Sequence, residues 1–247
     1  MRDCLKDEGY FKDYIENYHS AIGELEDLVE KLIHERGIGD EGVDNTYDSL
    51  SVYSYSKLIA MYSAGRPLHE IKDALPKLID LMERSRPTKA IGNNDNYLEV
   101  VWLLSIGTML EIDETLLSRV QKMAETYEER DALVDFLLNS RRSGWEPHHS
   151  TFLFGLPYKN LWPVVNADDQ EQQTLKLKAY LKNDWYKGHK KAWWYETHHD
   201  DDIIYPGYWS FESGAIVKIL GLDDSSLKDV PYYPYDMVHF REWEDRR

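Results

Sequence analysis

Apolar residues recur at three- and four-residue steps along the first part of the chain, which places them on one side of an α-helix. The pattern predicts an amphipathic helix over residues 9–36 that ends at Gly37, because glycine favours the left-handed backbone that follows a helix. The apolar side consists of Phe11, Tyr14, Ile15, Tyr18, Ile22, Leu25, Val29, Leu32 and Ile33. The opposite side carries an acidic stripe, defined as Asp13, Glu16, Glu24, Asp27 and Glu30.

The same periodicity predicts further helices, whereas the alternation of apolar and polar residues that is typical of strands is scarce. The predicted helices cover residues 48–64, 69–84, 94–110, 114–127, 129–140, 168–183, 186–197 and 207–220. Pro76 lies inside one of them and is expected to kink or split it. Glycines and prolines crowd residues 140–165, which predicts packed but irregular structure. We therefore expect an all-α fold in which two helical halves, residues 1–127 and 128–247, pack as one compact protein.

The charge of the chain narrows the choice of partner. Lysine and arginine number 29 against 45 aspartate and glutamate residues, a formal charge of −16. Residues 1–48 alone hold 5 basic and 14 acidic side chains. Such a field opposes direct binding to nucleic acid or to an anionic membrane and attracts a basic protein, although excess charge also serves solubility. The 18 tyrosines and 8 tryptophans suit interfaces as well as cores.

Three features predict a cytoplasmic protein. Cys4 is the only cysteine, so no disulfide can form within the chain. The first residues are charged and do not resemble a signal peptide. The longest uncharged stretch in the central region, residues 100–110, is too short to span a bilayer.

The segment His198-His199-Asp200-Asp201-Asp202 is the sharpest candidate for chemistry, because imidazoles and carboxylates bind divalent metals. A metal-dependent hydrolase would use His198, Asp200 and Asp202 together with Glu212. However, adjacent residues rarely point at one ion, and no spaced pair of histidines or acids on a helix completes the set. We expect no metal and no cofactor here, and interpret the segment as a solvated loop with Asp202 near the start of the next helix.

Glu212 falls on the apolar side of the predicted helix 207–220, between Ile216 and Ile219 and beside Trp209. A carboxylate in that position must be hydrogen-bonded or have a raised pKa. Active sites use such groups, and so do structural networks. The structural interpretation is favoured, because several tyrosines follow nearby in the sequence.

Two blocks near the C-terminus resemble the signature of the PoNi-type (polymorphic nuclease immunity) family. The first is Tyr208-Trp209-Ser210-Phe211-Glu212, and the second is Leu222-Asp223-Asp224-Ser225-Ser226 with Pro231-Tyr232-Tyr233-Pro234-Tyr235-Asp236. The signature residues are Trp209, Phe211, Glu212, Asp223, Asp224, Ser225, Ser226, Tyr232, Tyr233, Pro234, Tyr235 and Asp236. The family motif continues Phe-Glu-Ala-Ala-Ala, whereas this chain has Ser213-Gly214-Ala215, which are also small enough for close helix packing.

The resemblance implies an N-terminal and a C-terminal helical region and an antitoxin role. Its target would be a DNase of the restriction-endonuclease-like group, delivered by contact-dependent secretion such as type VI. We therefore expect a non-enzymatic immunity protein that binds a cognate basic DNase as a heterodimer. The candidate contacts are the acidic stripe and Asp200, Asp201 and Asp202. The alternatives are the metal-dependent hydrolase and a scaffold protein without a toxin partner.

Overall fold

The computed structural model describes residues 1–85, 92–140 and 144–241. Throughout these residues the regular structure is helical, without a strand, so the predicted all-α fold is confirmed. No helix in the described ranges is long and apolar enough to cross a bilayer. The chain forms two compact units, one of Met1–Lys89 with Glu196–Tyr208 and one of Ala90–Tyr195 with Trp209–Arg247. The predicted division between residues 127 and 128 stays a prediction.

The first unit is built from three long helices. They are α1 (Glu8–Arg36), α2 (Glu41–Ser63) and α3 (Leu68–Ser85). The carboxylate of Asp7 accepts the Tyr10 amide at the start of α1, and Gly37 ends the helix at a φ of 88°. α2 packs against both α1 and α3, and the apolar side of α1 provides part of the core between them.

The second unit surrounds a buried central helix. Its helices are α4 (Asn94–Met109), α5 (Glu114–Ala124), α6 (Ala132–Asn139), α7 (Tyr158–Val165), α8 (Gln170–Tyr180), the single turn α9 (Tyr186–Gly188), α10 (Phe211–Leu220) and α11 (Tyr235–Val238). Every residue of α4 from Tyr97 to Met109 is buried, because α5, α6 and α10 pack around it. Among the described residues, the largest fully buried side chains are Trp, Tyr and Phe, so most of the aromatic residues that the structure describes serve the core.

Several predicted elements differ from the structure. α3 continues through Pro76, so the proline does not split the helix, and apolar side chains on both sides of it are buried; the alternative expectation of a kink stays a prediction. Residues 158–165, expected to be irregular, form α7 with Pro163 inside it. The predicted helix 186–197 is wrong: helical structure ends at Gly188, and the Nδ1 of His189 donates to the Trp185 carbonyl at 2.7 Å.

The predicted helix 207–220 begins later than expected. Residues 207–210 have no regular secondary structure, and α10 starts at Phe211. The Ser210 amide donates to the Tyr232 carbonyl at 2.8 Å, which draws this segment away from the helix. Asp202 consequently does not stand near a helix start, contrary to the expectation from sequence.

Candidate functional site

The acidic stripe lies on the solvent side of α1. Asp13, Glu16, Glu24, Asp27 and Glu30 are all exposed, while Phe11, Tyr14, Ile22, Val29 and Leu32 on the other side of the helix are buried. Leu28 is 42% exposed beside the stripe. At 1.5 Å per residue the stripe extends over about 26 Å of a continuous helix. It therefore offers five carboxylates and one apolar side chain on a rigid support.

The carboxylates of the stripe have little local compensation. Glu16 lies 4.0 Å from Lys12, and both side chains are largely exposed, so this pair contributes little. Within the described ranges no ion pair joins Asp13, Glu24, Asp27 or Glu30 to a basic side chain. Glu26, which is not part of the stripe, pairs instead with Lys77. The stripe thus presents its negative charge to the solvent.

The second set of candidate contacts, Asp200 to Asp202, belongs to the same unit as α1. All three residues are exposed, and the Asp200 carboxylate accepts the Asp202 amide at 3.0 Å. Burial raises the pKa of Tyr10 near the start of α1, and the charges of Asp200 and Asp3 add to that effect. The structure therefore brings the two sequence-distant acidic groups into one unit, which holds 12 basic and 22 acidic side chains.

Tyr205 anchors the segment that carries these acids. Its hydroxyl donates to the Asp3 carboxylate at 2.6 Å, and its amide donates to the Tyr10 hydroxyl at 2.7 Å. Tyr205 is fully buried and Asp3 is 9% exposed. Burial also raises the pKa of Tyr205, so the hydroxyl remains a donor at every physiological pH.

Tyr205→Phe is expected to lower the free energy of unfolding by about 1–3 kcal/mol, because it leaves one oxygen of Asp3 buried without its donor. Urea unfolding of the variant beside the wild type measures this effect. Tyr53→Phe is the control, because Tyr53 is 37% exposed and should tolerate loss of its hydroxyl. Equal stability of the wild type and Tyr205→Phe would contradict the assigned anchoring role.

The structure does not assemble the proposed hydrolase residues into one site. Nδ1 of His198 shares a hydrogen bond with the Tyr208 hydroxyl at 2.8 Å, and burial lowers the pKa of His198, with His199 adding to the effect. Across the described part of the chain, the one group of three donors that could hold a metal ion is Asp135, His148 and His149. Residues 198–202 are therefore not arranged as a metal site.

Glu212 lies at the centre of a polar network in the second unit. One of its oxygens accepts hydrogen bonds from Trp185 Nε1 at 2.7 Å and Ser210 Oγ at 2.8 Å, and the other accepts Trp102 Nε1 at 3.1 Å. Glu212 has no exposed surface. Burial raises its pKa to about 7, while the bonds from Ser210, Trp185 and Trp102 act in the opposite direction. The carboxylate joins α4, α10 and the π-helical segment Leu181–Trp185 that follows α8.

The second signature block also supports the core of this unit. Asp224 is 4% exposed and accepts the Tyr233 hydroxyl at 2.6 Å, and its other oxygen lies 2.9 Å from Nε2 of His239. The carboxylate of Asp223 accepts the Ser225 amide at 3.0 Å, and this bonding lowers the pKa of Asp223. The block therefore fixes the turns that follow α10.

The remaining signature residues pack around these bonds. Tyr232 has a φ of 69° and its ring lies 4.8 Å from that of Trp185. A side chain on Gly214 would place its Cβ 2.5 Å from Met109 Sδ and 2.7 Å from Pro234 Cγ, so these two side chains would have to shift to admit a larger residue. Trp209 and Phe211 are buried, and the ring centroids of Tyr235 and His239 lie 4.3 Å apart. The Ser226 carbonyl accepts a hydrogen bond from Lys178 Nζ at 3.0 Å. Asp236 is exposed.

Two buried polar networks were missed from the sequence. Asp131 has no exposed surface; it caps α6 through the amides of Leu133 and Val134 and also accepts the Tyr97 hydroxyl at 3.0 Å. His189 accepts the Tyr158 hydroxyl at 3.1 Å, and burial lowers its pKa to about 4. An aspartate directly before the apolar run of α6 is a recognisable cap signal, whereas the distant partners leave no trace in the spacing.

Comparisons with known proteins agree with the C-terminal resemblance and extend it. The family model for the N-terminal region of the PoNe immunity protein (PoNi) matches residues 2–122, and the C-terminal model of PoNe immunity proteins (PoNi) matches residues 129–237. No curated protein matches the chain significantly.

One similar solved structure is protein PA2201 from Pseudomonas aeruginosa, which is 15% identical over 91% of this chain and 87% of that chain. The TM-score is 0.62, and at this identity the likeness shows the fold alone. With its two helical regions each matched by a family model, the chain belongs to the PoNi family of immunity proteins.

Proposed function

We propose that this protein is an antitoxin that neutralises a basic DNase by binding it in a one-to-one complex. Membership of an immunity family, with both of its regions present, is the observation that carries the proposal. A DNase holds the phosphates of its substrate with lysine and arginine side chains, so its DNA-binding surface is positively charged. An acidic protein is attracted to such a surface.

We infer that the first unit provides the contact. It carries most of the excess negative charge, and its acidic stripe is exposed, has little local compensation and is held on one continuous helix. A stable complex buries about 800 Å² of each partner, so the proposed contact extends from the stripe to the Asp200 to Asp202 segment and to other surface of the first unit. The buried signature residues are proposed to act as scaffold of the second unit.

Inhibition of this kind needs no catalytic group and no cofactor. The inhibitor covers the DNA-binding surface, or an adjacent surface, for as long as the complex persists. Because the toxin's substrate is the DNA of the cell, we propose that the antitoxin acts in the cytoplasm.

Titration of the purified DNase with this protein tests the proposal. DNA cleavage should stop at one equivalent, and co-expression should restore the growth of cells that carry the toxin. Inhibition that is complete at about one tenth of an equivalent would instead indicate that the protein inactivates the toxin catalytically, as the hydrolase alternative requires.

A further inference from the structure

We propose that Asp135, His148 and His149 form a binding site for a divalent transition metal of the zinc class. One ligand atom of each residue lies within 4.8 Å of those of the other two. Two imidazole nitrogens and a carboxylate oxygen, with a fourth position open to water, are a donor set that zinc takes in proteins. This departs from the expectation that the chain holds no metal, and it places the ion away from residues 198–202.

Asp135 provides a fixed point for the ion. Its side chain is 3% exposed, and it projects from α6. One carboxylate oxygen accepts the Glu129 amide at 2.9 Å, while the other faces Nε2 of His149 at 2.6 Å. A carboxylate held through one oxygen keeps its second oxygen oriented, as the outer hydrogen bonds of metal sites do.

The surroundings of Asp135 are rich in oxygen atoms that favour a cation. Asp131 precedes it by one helical turn and is also buried, with one oxygen accepting the Leu153 amide at 3.0 Å. Asn139 follows by one turn, and its buried Oδ1 has no hydrogen-bond donor among the described residues. Buried carboxylates are costly unless a positive charge offsets them, so a metal ion would stabilise this side of α6.

The two histidines can reach the ion with small changes. The Thr151 amide donates to Nδ1 of His149 at 3.2 Å, so the ring proton sits on Nε2 beside Asp135. An ion at Nε2 takes the place of that proton, which moves to Nδ1, and the exposed Thr151 amide turns to water. Donors around zinc lie about 3.3 Å apart, and the exposed His148 is free to close that distance.

The ion would fasten the segment of residues 144–157 to α6. This segment lacks helices, and two hydrogen bonds already attach it to the start of α6: the Thr151 carbonyl accepts the Ala132 amide, and the Leu153 amide donates to the Asp131 carboxylate. The proposed role is structural and is independent of toxin binding.

Calorimetric titration of the chelator-treated protein with zinc chloride tests the site. We expect one zinc ion per chain at micromolar or tighter Kd, and an unfolding temperature raised by about 5 °C at a hundredfold excess over Kd. His148→Ala should abolish both effects without unfolding the protein, because His148 is exposed. His199→Ala is the matched control, since His199 belongs to the other adjacent histidine pair, and it should bind zinc as the wild type does.

Three outcomes would overturn the proposal. The first is that the wild type does not bind zinc at about 0.1 mM, a concentration 100-fold above a micromolar Kd. The second is binding that survives both His148→Ala and Asp135→Asn. The third is loss of binding in His199→Ala, which would place the ion at the other histidine pair.

Discussion

Glu212→Ala is expected to lower the free energy of unfolding by about 2–4 kcal/mol, because it removes the acceptor of two buried indole N–H groups. Trp102, Trp185 and Ser210 each donate to this carboxylate, and the first two carry no alternative polar atom. Glu171→Ala provides the control, because Glu171 is exposed on α8 and should change stability by less than about 0.5 kcal/mol. Urea unfolding of the three proteins measures the difference.

The same residue should give stability a recognisable pH dependence. In the folded protein the pKa of Glu212 is about 7, above the ordinary value of 4.5. The contribution of Glu212 to the free energy of unfolding is therefore full at low pH and is lost as pH rises through 7. Glu212→Gln stays neutral at every pH. The stability of the wild type relative to this variant should therefore fall by about 2–3 kcal/mol between pH 5 and pH 8. If the free energies of unfolding of the wild type and of Glu212→Gln changed in parallel with pH, the three donors would be keeping Glu212 ionised throughout.

Neutralising part of the acidic stripe should slow association with the toxin. We expect Glu24→Gln, Asp27→Asn and Glu30→Gln together to lower the association rate constant about three- to tenfold at low salt, while dissociation changes little. For the wild type, added salt should cause a steep fall in the same constant, because screening shortens the field to about 8 Å at physiological ionic strength. Stopped-flow mixing across a salt series measures both effects.

The matched control removes three charges elsewhere. Glu125→Gln, Asp168→Asn and Glu171→Gln change the net charge equally in the second unit, at exposed positions. A smaller effect of this control than of the stripe variant is expected. Equal effects would mean that only net charge matters and that the contact lies elsewhere, and a salt-independent rate would remove electrostatic steering altogether.

Helix periodicity predicts the elements of this fold well where one side of a helix faces the solvent. α1 ends at the predicted residue because Gly37 supplies the positive φ that the chain needs there. Periodicity fails where tertiary contacts override it. Trp185 and Trp194 stack at 5.3 Å in the core, so the chain turns after Gly188 instead of continuing as a helix. A Cβ at Gly188 would also lie 2.5 Å from Pro157, which no local pattern reveals.

The candidate site also combines features that the sequence predicts with features that it could not reveal. The exposed stripe on α1 follows from spacing alone, and Glu212 lies among apolar positions where a buried carboxylate must be bonded. Its donors Trp102 and Trp185 stand 110 and 27 residues away, so the sequence could not identify them. The grouping of Asp135 with His148 and His149 depends on the path of the chain after α6 and was missed for that reason.

Calorimetric titration of this protein with its cognate nuclease tests the central claim most directly. The account predicts a one-to-one complex with nanomolar or tighter affinity at physiological salt, equivalent to about −12 kcal/mol. The two proteins should also co-purify as a heterodimer. Absence of binding at micromolar concentrations of both folded proteins would contradict the account.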